Sequence, residues 1–181
     1  MEETDKDLRF ITTGIEELPQ YLSSSNLFWP LGQSATPLTI GNLLFTLRRL
    51  QSIPGQSSIV HELERKIEQE RASNRALFQK KEQAEFSSRT REWGNSSEEW
   101  QENGLDRVTL VTELRNRTIL DLLLADLQTA SIKESLQIEK TDQFFKELTE
   151  PAGFVWEDSL QGVFPAEPFW YLWRAPLGRK K

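Results

Sequence analysis

Between Gly55 and Gly94 the chain contains neither proline nor glycine, and between Gly104 and Pro151 it again contains neither. Proline removes a backbone donor and clashes with the preceding turn, and glycine loses the most entropy on ordering. Two long tracts free of both predict an all-α fold: an antiparallel helical bundle of about four to five helices with one long charged helix. Beyond Pro151 the character changes. Gly153, Gly162, Pro165, Pro168, Pro176 and Gly178 forbid a long helix, while Phe154, Trp156, Phe164, Phe169, Trp170, Tyr171 and Trp173 crowd together. The expected organisation is a helical domain over 1–151 and an aromatic, mostly irregular C-terminal extension over 152–181 packed on it.

Local signals place the elements. The residues through about Asp7 read as frayed. Thr13-Gly14-Ile15-Glu16 has the form of a capping box, followed by Ile15, Leu18 and Leu22 at helical spacing. Pro19 predicts a short or broken helix there, ending at Ser23–Asn26. Leu27–Gly32 reads as an apolar loop pinned to a core. Pro37 suits a first helical turn, and Ile40, Leu43, Leu44, Leu47 and Leu50 form one apolar stripe that Pro54-Gly55 stops.

The next helix is expected from Ser57 or Ser58 to about Glu92, roughly 50 Å at 1.5 Å per residue. Its seam begins with Val60, Leu63 and Ile67. It then decays into Glu70, Asn74, Leu77, Lys81 and Ala84, so the second half is predicted to project into solvent or onto a partner. Trp93-Gly94-Asn95 reads as its end, Ser96–Glu99 as a fresh capping box, and Asn103-Gly104 as a turn. Asp106 is placed to cap the most apolar helix, carrying Val108, Val111, Leu114, Ile119, Leu122, Leu123 and Leu127, which is expected to be central. Ser131-x-x-Glu134 predicts another box, opening a helix through Leu136, Phe144, Phe145 and Leu148 that finishes before Pro151. Phe169–Trp173 has strand propensity, and Gly178–Lys181 reads as a disordered basic end.

The chemistry available is narrow. Cysteine is absent and histidine occurs once, which removes thiol nucleophiles, thiolate metal sites and disulfides. His61-Glu62 begins like a zinc-binding H-E-x-x-H helix, but Arg65 stands where the second histidine would be. Ser58 stands where a di-iron Glu-x-x-His unit would need glutamate. His61 therefore reads as a surface residue, and no metal or cofactor is expected. Carboxylate-only catalysis stays open. Glu113, Asp121 and Asp126 lie on the apolar helix, and Asp121, flanked by leucines, is the one most suited to a low-dielectric setting; the plainer alternative is pairing with Arg115 and Arg117.

The formal charge of −6 argues against sequence-independent DNA binding as the main task. Charge is nevertheless uneven. Arg71, Arg75, Lys80, Lys81, Arg89 and Arg91 outnumber Glu82 and Glu85 by four, and the following stretch to Asp106 carries five acids and no base. Such runs usually form a solvated face. The acidic N-terminus is not a secretory signal, and no apolar run reaches the length that spans a bilayer, so a cytoplasmic location is expected.

These readings favour a non-enzymatic helical adaptor or scaffold that binds another protein, with self-association open. The expected contact residues are the six cations named above together with Trp170 and Trp173. Alternatives are a nucleic-acid-associated accessory factor using the basic stretch, and a carboxylate-dependent, metal-assisted enzyme near Asp121.

Overall fold

The computed structural model describes residues 2–32, 34–105 and 107–177, leaving aside the side chains of Glu2 and Arg107. Among them the chain is all-α. Six helices form, α1 (Glu2–Ser23), α2 (Ile40–Leu50), α3 (Ser57–Ser73), α4 (Arg75–Asn103), α5 (Arg107–Leu127) and α6 (Ile132–Leu148). Two short strands, β1 (Thr149–Pro151) and β2 (Arg174–Pro176), pair antiparallel. No helix among the described residues is long and apolar enough to cross a membrane. The chain divides within α4 into two compact units, Met1–Glu85 and Phe86–Lys181.

In the first unit α1 is longer than its signals imply. It is helical from Glu2 rather than frayed to Asp7, and Thr13 and Glu16 lie mid-helix rather than at a cap. Pro19 does not break it. A proline forfeits one backbone bond, and Leu18, Tyr21 and Leu22, all essentially buried, hold the final turn in place. The following loop is pinned as expected at Leu31, which is buried, and at Trp29, which bridges Leu38 and donates its Nε1–H to Glu17 at 2.6 Å. Phe28 in the same loop stays exposed.

The α2 stripe turns inward at Ile40, Leu43, Leu47 and Leu50. Its cap is Thr39, whose hydroxyl accepts from the Asn42 amide, so Pro37 precedes the helix instead of opening it. The fully buried Glu85 accepts from the Thr39 hydroxyl at 2.7 Å and the Gly41 amide at 2.8 Å, placing negative charge at the positive end of α2. Gly55, with φ +81°, makes the turn that follows.

The expected long helix starts at Ser57 as read, but it is interrupted midway and runs on past Glu92 to Asn103. Asn74 leaves helical geometry at φ −127°, ψ 33°, separating α3 from α4. That break shifts the inward phase by one residue. Leu77, the expected seam position, is left 38% exposed, while Phe78 beside it is buried. The second half is not a solvated arm: Lys81, Glu82 and Glu85 are buried with Phe78.

In the second unit α4 continues through Gly94 to Asn103, so neither Gly94 nor the Ser96–Glu99 box ends or starts a helix. Gly104, at φ +77°, does end it. Phe86, Trp93 and Trp100 on α4 pack into the core with Leu114, Ile119 and Leu123 of α5 and Phe145 of α6. Of the apolar residues from which a central helix was expected, Val108 and Val111 are 84% and 45% exposed. Asp106, the expected cap of α5, lies outside the described residues, as do Gly178–Lys181.

The Ser131–Glu134 capping box of α6 is fully formed. The aromatic segment differs from its propensity. Trp170–Trp173 is a 3-10 turn, and the strand is the next three residues, paired with β1 through Glu150 and Ala175. Arg174 fixes the pairing by donating to the Thr149 hydroxyl at 2.7 Å and to the Thr149 and Lys146 carbonyls. Phe164, Phe169 and Tyr171 are buried, and Phe154, Trp156, Trp170 and Trp173 half-buried.

Candidate functional site

The cations of the basic stretch have different fates. Arg75, Lys80 and Arg91 are exposed. Arg71 is half-buried, with its guanidinium 4.7 Å from the Phe78 ring centre and an ion pair to Glu68. Lys81 is turned inward. Its ammonium donates to the Ser24 hydroxyl at 3.2 Å and the Asn26 carbonyl at 2.5 Å, above the Tyr21 ring. Burial, with Lys80 beside it, holds the Lys81 amine below its ordinary range. In the second unit Arg89 is buried and donates to the Asn116 side chain at 3.0 Å, tying α4 to α5. His61, near the start of α3, is exposed.

Asp121 sits in a buried network of the second unit. Arg117, 6% exposed, donates through Nε and Nη2 to both oxygens of Asp142 at 2.9 Å, and through Nη1 to Asp121 at 2.5 Å. The Tyr171 hydroxyl donates to the other Asp121 oxygen, and the Trp93 indole donates to Asp142, both at 2.9 Å. The guanidinium also lies 4.8 Å from the Tyr171 ring centre. One cation thus joins two carboxylates, an indole and a phenol, linking α4, α5, α6 and the aromatic segment.

Burial shapes these groups. It works against the Arg117 charge, but Asp142 and Asp121 outweigh it and hold the guanidinium above its ordinary range. Burial pushes the Asp121 carboxyl upward against the opposing pull of Arg117. Burial and the Asp121 charge together push the Tyr171 phenol well up, which keeps it a hydrogen-bond donor. Asp121 is therefore in the low-dielectric setting its leucine flanks suggest, and it is also paired with Arg117. Of the other acids on α5, Glu113 accepts from the Trp100 indole at 2.6 Å. Among the described residues no group of three or more acidic or histidine side chains is placed to hold a metal ion.

Asp142 also borders a groove of about 300 Å³, at the small end for a ligand site. Leu124, Ala130 and Ile138 form its apolar part, and Ser135, Glu139, Gln143 and Lys146 line the rest. The Lys146 ammonium lies 4.4 Å from the Trp170 ring centre, which brings that expected contact residue to the end of the groove; Trp173 instead packs on Phe154. Ile132 and Leu136 flank the groove. They are i,i+4 neighbours on α6, each three residues before a groove-lining side chain, and are 82% and 59% exposed.

The sequence reading ran one helix through Leu136 and Phe145 without assigning either to a face, and so did not find this edge. Nine residues is two and a half helical turns, which sets the two on opposite sides of α6. Phe145 is fully buried and Leu136 is not. Arg117 and Asp142 were also outside the expected contact residues, since nothing local marks which acid a buried arginine on another helix will meet. No protein-family model matches the chain, and neither a curated protein nor a solved structure matches it.

Proposed function

We propose that this chain is a non-enzymatic helical adaptor that holds another protein against α6. The reading is carried by Ile132 and Leu136, two large aliphatic side chains exposed at i,i+4 spacing on the rim of a groove with apolar walls. Scattered exposed aliphatics are ordinary on protein surfaces. A pair in helical register along a groove is the arrangement by which an amphipathic helix is received. The Arg117 network supports the same reading in a second way, because it fixes α6 to α5 and the aromatic segment and so keeps the groove's walls in place. In this reading the inward cations Lys81 and Arg89 act as internal ties, and Trp170 borders the partner.

A photo-crosslinking side chain placed at position 136, in the cells that make the protein, should give a discrete adduct with another protein. The same group at Glu98, exposed on α4, should give none, and Ile132→Lys should abolish the adduct at 136. No adduct at either position, or equal adducts at both, would refute the assignment of this face.

A further inference from the structure

We infer that the occupant of the α6 face is an amphipathic helix of another protein whose edge is acidic; this rests on the docking role proposed above and names the partner's chemistry. The groove and its rim extend from Ile132 to Lys146, about 21 Å along the helix axis at 1.5 Å per residue. A partner helix of about four turns would match that length. The apolar rim gives it one stripe to cover, and Leu124 and Ile138 give the stripe a second surface.

Charge then distinguishes among helices. Lys133 and Lys140 are i,i+7 neighbours, so they share one line along α6, next to Ile132 and Leu136. Both are exposed, and among the described residues neither ammonium has an ion pair or hydrogen bond. Lys146, at the groove's end, lies over the Trp170 ring face. The acids of α6 are otherwise engaged or less well placed. Glu134 accepts from Ser131 and Ser87, and Asp142 accepts from Arg117 and Trp93. Glu139 is exposed and borders Ile132 and Leu136 on the groove side, the edge away from Lys133 and Lys140, and Glu147 is an exposed acid further along the lysine line, so the lysines set the charge of one edge only. A helix lying on Ile132 and Leu136 therefore meets lysines along one edge and at one end. Antiparallel packing of two copies would set the Lys133–Lys140 line against itself, which disfavours self-association through this face.

The probes are two designed 18-residue amphipathic peptides with the same leucine stripe, one carrying glutamate and the other lysine along one edge of the stripe. Binding to the full chain is read by fluorescence anisotropy at low salt. The glutamate peptide should bind about tenfold more tightly, the sum of two modest exposed pairs gained and two repulsions avoided. Lys133→Glu with Lys140→Glu should reverse that order, and Leu136→Asp should abolish binding while the helical circular dichroism is kept. Equal binding of both peptides, or tighter binding of the lysine peptide, overturns the acidic partner but leaves the docking face standing. Binding of neither overturns both. A chain that is dimeric by light scattering and becomes monomeric with Leu136→Asp assigns the face to a second copy and overturns the inference.

Discussion

Replacing Arg117 by methionine probes the network that fixes α6. Methionine fills much of the space of the arginine stem, so the main losses are electrostatic. Three hydrogen bonds to carboxylates disappear, two to Asp142 and one to Asp121. At about 1.5–3 kcal/mol for each bond to a charged group, the gross loss is roughly 4.5–9 kcal/mol. Against this, the guanidinium no longer has to leave water, a relief of several kcal/mol. The net loss expected at pH 7 is about 3–5 kcal/mol, the range for a buried ion pair broken from one side. Asp142 keeps the Trp93 indole and Asp121 keeps the Tyr171 hydroxyl, but neither donor neutralises a charge.

The loss should depend on pH in a definite sense. Burial already holds the Asp121 carboxyl above its ordinary value of 3.8. Between that value and the folded one, the native state binds more protons than the unfolded chain, so this group's contribution to stability falls as pH rises through the window. Arg117 opposes the upward shift, and removing it extends the window to higher pH. The deficit of Arg117→Met should therefore shrink as pH is lowered from 7 towards 5. Urea unfolding followed by tryptophan fluorescence is the assay, because five of the six tryptophans lie between Trp93 and Trp173 and report on the second unit. A loss under about 1 kcal/mol at pH 7 would place the network outside the range for a broken buried pair. A loss that grew on acidification would refute the sign.

Two further comparisons test the packing. Gly14→Ala should lower the melting temperature, since the new Cβ would lie 3.0 Å from Leu43 and 3.1 Å from Leu38, both buried, whereas Gly94→Ala should leave it unchanged or raise it, because the obstructing atom is the flexible Gln137 amide and alanine gains about 1 kcal/mol in a helix. On α6, Phe145→Ala should cost about 3–5 kcal/mol in urea unfolding and Leu136→Ala less than about 0.5 kcal/mol, and similar losses would mean the outward face is covered within the chain.

The elements legible in the sequence were those whose cause is local. The Ile40–Leu50 stripe, the Ser131–Glu134 box and the Gly104 turn each rest on residues within a few positions of one another. Where distant packing decides, local rules misled. Pro19 and Gly94 both disfavour a helix, yet each lies in one beside deeply buried residues, Leu18 and Tyr21 in one case and Trp93 in the other. At Asn74 the error was one of phase. Carrying the Val60–Ile67 seam straight through selected Leu77 and Ala84, while the break selects Phe78 and Glu85. Phe78, Phe86, Trp93 and Trp100 recur at intervals of seven or eight, and this aromatic repeat was the available sign of α4's inward face. The buried charges gave no such sign, because the partners of Lys81 and Glu85 lie 44 to 57 residues away.

The candidate site has the same origin as these errors. A helix on the surface of a fold is usually apolar on one side and polar on the other, and naming α6's apolar residues without their angular positions hides a second apolar side. Thr141 and Phe145 face the core, and Ile132 and Leu136 face away from it. Two of the acids between these faces are engaged, Glu134 with Ser131 and Ser87 and Asp142 with Arg117 and Trp93. A helix apolar on two sides is stabilised by two neighbours, and the described chain supplies one. Leaving Ile132 and Leu136 in water forgoes about 1.5–3 kcal/mol for each side chain that could be fully buried. Burying that pair would need no rearrangement of the core, because the capping box and the Arg117 network already hold α6 in place. The outward face can therefore change by substitution without unfolding the helix that carries it, which is the physical requirement for a binding surface separable from the fold.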